Sequence, residues 1–170
     1  MTEPHAVLNH LDADAAEGAL ALCCKSTRWV EAMLARRPFD SAAALYAAAD
    51  AVWASLGNDD YLEAFRGHPR IGASVAELEA KFASTARWSG AEQGAVKSAD
   101  RATLEALRNG NAAYEARFGF IFIVCATGKT ASEMLALLRE RIGNEPDAEM
   151  RIAAAEQGKI TKLRLGKLAP

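Results

Sequence analysis

The chain has 170 residues, 51% of them apolar and 25% charged, enough to bury a core without disulfide or metal staples. A formal net charge of −2 offers no electrostatic pull toward nucleic acid or an anionic membrane surface, and no apolar run is long enough to cross a bilayer. Three cysteines, Cys23, Cys24 and Cys125, without any Cys-x-x-Cys spacing, make no disulfide framework and read as small buried hydrophobes in a reducing compartment.

Helical periodicity dominates in chain order. Ser26 is placed to cap a helix carrying Trp29, Val30, Met33 and Leu34, which must end before Pro38. Asp40 or Ser41 opens the next, with Leu45, Ala48, Val52 and Leu56 as its buried face and Gly57-Asn58 as its stop. A short helix around Tyr61 to Phe65 runs into Gly67-His68-Pro69-Arg70-Ile71-Gly72. Val75, Leu78 and Phe82 mark a helix that fades near Ser84-Thr85. Ser89-Gly90-Ala91-Glu92-Gln93 begins a long pattern through Val96, Leu104 and Leu107 to about Tyr114. Another helix is expected from Thr130 to Ile142, ended by Gly143-Asn144, and Pro146 starts the last, with Ile152, Ala155, Ile160 and Leu163 expected as its buried stripe. The basic residues Lys159, Lys162, Arg164 and Lys167 suit a solvated final turn that complements the helix dipole. No repeat, low-complexity tract or linker interrupts the pattern. The expectation is one all-α domain over residues 1–170, a single-domain bundle of about eight to ten helices.

One segment departs from it. Phe118-Gly119-Phe120-Ile121-Phe122-Ile123-Val124 is β-branched and aromatic, and locally favours a strand. A lone strand has no partner, so a buried extended or irregular apolar segment near 118–125 is expected between helices, with backbone polar groups that must find partners; a bound polar ligand is one way to supply them.

Directly after it comes Gly128-Lys129-Thr130, the tail of a phosphate-binding loop. The full motif needs a glycine five positions before Gly128, where this chain has Ile123. Thr130-Ala131-Ser132-Glu133 is better read as a helix-capping box, with Gly128 serving the turn and Lys129 solvated. A nucleotide hydrolase is thereby set aside.

Chemistry has few other places to sit. His5, His10 and His68 lack metal-ligand spacing, so no metal site is expected, and no serine stands in a nucleophile elbow. His68 is distinguished by its loop. Pro69 pushes it toward extended backbone, Gly67 and Gly72 allow tight turns, and an imidazole titrates near neutrality. It is a candidate acid–base residue, or a histidine that hydrogen-bonds a helix end. Ser89 with Glu92 forms a second candidate, as a capping box, as a helix N-terminus offering N–H groups to an anion, or as both. Arg139 and Arg141 could clamp a carboxylate or simply complement a helix C-terminus.

Taken together, these motifs resemble the 2-oxo-4-hydroxy-4-carboxy-5-ureidoimidazoline (OHCU) decarboxylase family. The similarity is carried by Cys23-Cys24 with Ser26 and Trp29-Val30, Arg37-Pro38-Phe39, His68-Pro69, Ser89-x-x-Glu92-Gln93 and Phe118-Gly119-Phe120-Ile121-Phe122. Near the end Arg141, Asn144, Glu149 and the run from Lys159-Ile160 to Arg164-Leu165 extend it. The resemblance implies an all-α enzyme, a homodimer working without metal or organic cofactor, that releases CO₂ from a urate-derived substrate to give (S)-allantoin. It implies His68 as the principal catalytic residue, with Glu92 near the ureido group. It further implies that Pro69, Ser89, Gly90, Ala91, Glu92, Gln93, Phe120, Ile121, Phe122, Ile123 and Val124 line the pocket, and that Arg141 binds a carbonyl or carboxylate. The absence of a peroxisomal Ser-Lys-Leu tail fits a bacterial, cytoplasmic member, with no nucleic-acid or membrane partner. A helical module that binds a purine-like ligand without catalysis is the remaining rival; it would show affinity but no CO₂ release.

Overall fold

The computed structural model describes residues 2–69, 76–78, 80 and 93–170, and among these residues the regular structure is entirely helical. The chain clusters into two compact units, one made of Met1–His68 with Ile152–Pro170 and the other of Pro69–Arg151.

In the first unit α1 (Pro4–His10), α2 (Ala13–Cys23), α3 (Thr27–Ala35), α4 (Ala42–Ala54) and α5 (Asn58–Arg66) follow in short steps. Side-chain caps open three of them: Asp12, Ser26 and Ser41 accept from the backbone N–H groups of Ala15, Trp29 and Ala44. Helix α3 is central, packing on α2, α4 and α5. Its Trp29 is fully buried and donates its indole N–H to the Ala49 carbonyl of α4 at 3.3 Å, satisfying the donor that burial would otherwise orphan. Asn9 clasps the backbone of Phe39 with both arms of its amide, at 2.8 and 2.9 Å, which ties the turn after α3 to α1.

Two details differ from the periodic expectation. Helix α4 stops at Ala54 and buries Leu45, Ala49, Val52 and Trp53, leaving Ala48 half-buried and Leu56 beyond its end. The indole of Trp53 draws that face round: it donates to the Ala154 carbonyl at 2.8 Å and packs against Tyr61 in a tilted pair with centroids 4.5 Å apart. Gly57, expected as a stop, is the N-cap of α5, where the Asp60 carboxylate reaches back to its N–H.

The second unit contains a helical stretch at 76–78 and 80, in which Leu78 is buried, then α6 (Gln93–Phe118) and α7 (Ala131–Arg141), which pack together. Gly110 allows the close approach, since a Cβ there would stand 2.9 Å from the Leu138 side chain. Leu104, Leu107, Tyr114, Met134, Leu135 and Leu138 are buried. The expected helix around Val75 to Phe82 is described only at those four residues, and the expected start of the long helix at Ser89 to Glu92 lies outside the described residues.

The last helix, α8 (Pro146–Gly166), has its first residues in the second unit and the rest in the first. Its buried stripe is a correction to the sequence reading. Ile152 and Leu163 are exposed at 37% and 43%, Ala155 is exposed too and Ile160 is half-buried, while Ala153, Ala154, Glu156, Gln157, Thr161 and Leu165 are buried. The period was right and the phase was wrong, because the inward face of this helix is small and polar rather than aliphatic.

Candidate functional site

In the first unit the candidate chemistry centres on His68. Helix α5 ends with Gly67, whose N–H reaches the Ala64 carbonyl, and the His68 N–H follows to Phe65 at 3.1 Å. A Cβ at Gly67 would collide with the Lys25 side chain at 2.2 Å, so this turn is closed to larger residues. Pro69, which cannot continue a helix hydrogen bond, keeps the backbone out of α5 beyond this point. The imidazole is half-buried, and its Nε2 hydrogen-bonds the Oε1 of Gln157 on α8. Gln157 is fully buried and passes its Nε2–H to Thr161 Oγ1 at 3.1 Å. Thr161 in turn hydrogen-bonds the side chain of Cys24, which also receives the Ser26 backbone N–H.

Both neighbouring thiols are held protonated. Burial raises Cys23 from 9.0 to about 11, with Arg164 opposing and Cys24 reinforcing the rise. Burial likewise raises Cys24 to about 11, against the hydrogen bonds from Ser26 and Thr161. Neither is poised as a nucleophile, in keeping with their reading as buried hydrophobes.

In the second unit the apolar segment is organised by a buried ion pair. Helix α6 ends at Phe118, and Gly119 follows at φ +78°, the left-handed position that closes many helices. Residues 121–126 carry no regular structure, and Phe120, Phe122, Ile123, Val124 and Cys125 are buried while Ile121 is half-buried. The expected buried, irregular apolar segment is therefore present. Two of its carbonyls are held by cations: Ile123 by Arg141 Nη1 at 2.7 Å and Cys125 by Lys129 Nζ at 2.8 Å. Lys129 is thus half-buried and engaged, a correction to its expected solvation; the carbonyl four residues back needs a donor, and the lysine supplies one. Gly128 sits at φ +77° in the turn, and the capping box is formed, with Glu133 N–H on Thr130 Oγ1 and Thr130 N–H on Glu133 Oε2.

Arg141 is 6% exposed and lies 4.6 Å above the Phe122 ring. Its Nε donates to Glu149 Oε1 at 2.7 Å, and Nη2 lies 2.6 Å from the same oxygen without the alignment of a hydrogen bond. Fully buried Glu149 also accepts from Tyr114 Oη at 2.5 Å and Asn144 Nδ2 at 3.0 Å. The Tyr114 hydroxyl is pushed well above its ordinary pKa, chiefly by burial and then by the bond to Glu149, so it remains a donor. Around it Phe118, Phe120 and Phe122 pack at centroid distances of 4.7, 5.8 and 5.2 Å. The carbonyl and carboxylate on Arg141 are in this way the protein's own.

Of the sequence candidates, the structure brings Arg141 together with Phe122 and Ile123, and places His68 on Gln157. Pro69 is exposed, and Gln93 opens α6. Ser89, Gly90, Ala91 and Glu92 lie outside the described residues. Gln157, Thr161 and Tyr114 were not singled out from sequence. The pair Gln157 and Thr161 shares an i, i+4 face, a signal hidden by the aliphatic stripe beside it.

The OHCU decarboxylase family model matches residues 9–166 of the chain. A uric acid degradation bifunctional protein of Arabidopsis thaliana is 41% identical over 86% of the chain, which spans 45% of that protein's length. A 2-oxo-4-hydroxy-4-carboxy-5-ureidoimidazoline decarboxylase of Haloferax volcanii is 28% identical over 94% of the chain and 92% of its own length. Among solved structures, an OHCU decarboxylase crystallised in the presence of (S)-allantoin superposes with a TM-score of 0.71 and 32% identity, over 93% of this chain and 98% of that one.

Proposed function

We propose, for a chain that belongs to the OHCU decarboxylase family, that it converts 2-oxo-4-hydroxy-4-carboxy-5-ureidoimidazoline to (S)-allantoin and CO₂ in urate degradation. The observation that carries this reading is the family match across nearly the whole chain, joined to a half-buried imidazole fixed at the end of α5.

The substrate's chemistry sets what the residues must do. Its carboxylate sits on a carbon that also bears a hydroxyl, beside a ring C=N. As the C–CO₂ bond breaks, its electron pair forms a C=C bond to the ureido-bearing carbon and the C=N pair moves onto the ring nitrogen, which takes up a proton, so the substrate is its own electron sink and no cofactor is required. The hydroxyl then gives up its proton as the ring C=O forms, and a proton is delivered to one face of the ureido-bearing carbon. We assign His68 to the hydroxyl and the departing carboxylate, and Glu92 to orientation of the ureido side and to the facial protonation. Pro69, Ser89, Gly90, Ala91, Gln93 and the 120–124 segment would hold the ring, with the amides near Ile121 and Ile123 meeting its C=O and N–H groups. Arg141 serves this grip through the Ile123 carbonyl it already holds. Three free buried thiols support a reducing, cytoplasmic setting, and the family resemblance supports a homodimer.

The test is His68→Asn, which keeps a polar side chain of similar size and cannot titrate. Turnover should fall roughly 10²- to 10⁴-fold, while affinity for allantoin as a stable analogue changes far less. Wild-type turnover by this variant would remove the proposed mechanism.

A further inference from the structure

A buried primary amide has two donors and one acceptor to place, and its two arms cannot face the same way. Gln157, 1% exposed, turns one arm to Thr161 and the other to His68, so the choice made at Thr161 dictates what the imidazole meets. Thr161 is 4% exposed, and its Oγ1 receives the Nε2–H of Gln157 at 3.1 Å. The Gln157 Oε1 is then the atom presented to His68, and an oxygen acceptor requires a proton on the facing ring nitrogen, Nε2.

We propose that Gln157 is a positioning residue that fixes neutral His68 as its Nε2–H tautomer, making Nδ1 the nitrogen that takes the substrate's hydroxyl proton. The use of Nδ1 rests on the decarboxylase reading; the tautomer does not. The same contact explains why an amide stands at 157. A carboxylate would also accept from Nε2–H, but its charge would favour the imidazolium and remove the base. Among the described residues, charged groups on the surrounding elements include Glu156, paired with Lys159, Glu63, which accepts from the Thr27 N–H, Lys25, whose stem lies against Gly67, and Arg164, which acts on Cys23 and Cys24.

The experiment is ¹⁵N-edited NMR of the full chain near neutral pH, with the His68 ring signals assigned by their loss in His68→Asn, alongside pH–rate profiles of two variants. Wild type should show a protonated Nε2 and an acceptor Nδ1. Gln157→Met should mix the tautomers and lower kcat about 10- to 100-fold, by analogy with lost orienting partners of metal-bound histidines, at little-changed KM. Gln157→Glu should keep the Nε2–H tautomer and move the acidic limb of kcat/KM upward by about one pH unit or more. A wild-type ring protonated on Nδ1 would overturn the proposal, as would an unchanged tautomer and pH profile in Gln157→Met. Should that variant fail to fold, the wild-type spectrum decides alone. If the tautomer is as expected but His68→Asn turns over normally, the assignment of Nδ1 as base fails and the orienting contact stands.

Discussion

Cys23 closes α2 and Cys24 caps it, and burial raises both thiols from 9.0 to about 11. A thiol whose pKa rises on folding is held in its protonated form. Its contribution to stability is intact below the unfolded value and is lost as pH climbs through the folded one. The window is therefore pH 9.0 to about 11. Melting temperature should fall across it, and Cys24→Ala should fall less steeply than wild type when each is referred to its own value at neutral pH. Parallel curves would show that the thiols remain ionisable in the folded chain. The buried Tyr114 hydroxyl, shifted the same way, adds to the fall in both proteins.

At the scale of elements, the segment between α6 and α7 depends on Arg141 and Glu149. Arg141→Met would leave the fully buried Glu149 carboxylate without its cation and the Ile123 carbonyl without its donor. Breaking a buried pair from one side costs about 3–5 kcal/mol, which for a chain of this size corresponds to a melting temperature lower by roughly 6–20 °C. Arg141→Lys should not rescue it, because one ammonium cannot replace a planar fork that meets a carboxylate, a carbonyl and a ring together. Calorimetry of both variants checks this, and an unchanged melting temperature for Arg141→Met would contradict it. Helix starts were legible in the sequence at Ser26, Ser41 and Thr130, each of which caps as its spacing requires, but the Asp12 cap that opens α2 was not read. The irregular apolar segment near 118–125 was legible from its β-branched run without a partner. The phase of α8 was not, since hydrophobic periodicity assumes an apolar inner face, and this helix turns Gln157, Thr161 and Glu156 inward while leaving Ile152 and Leu163 outside. For the same reason His68 could be picked out from its loop while the residue that orients it could not. The engagement of Lys129 was hidden too, because nothing local announces that the Cys125 carbonyl needs a donor.

For the whole molecule, Gly128-Lys129-Thr130 provides a contrast between ligand classes. A ligand at a hundred times its Kd stabilises the fold by about 2.7 kcal/mol, so a nucleotide site would be visible in a thermal melt. ATP should produce no shift, and Lys129→Ala should keep turnover within a factor of about three of wild type, since the lysine is engaged with the Cys125 carbonyl, outside the 120–124 segment assigned to the substrate. An ATP-dependent shift abolished by Lys129→Ala would reverse that assignment. The central claim is that this chain decarboxylates the ureidoimidazoline with control over the face that is protonated. The most direct measurement supplies freshly generated substrate and follows the optical activity of the allantoin formed, against the spontaneous reaction. The account predicts (S)-allantoin appearing faster than the uncatalysed background; racemic allantoin formed at the background rate would contradict it.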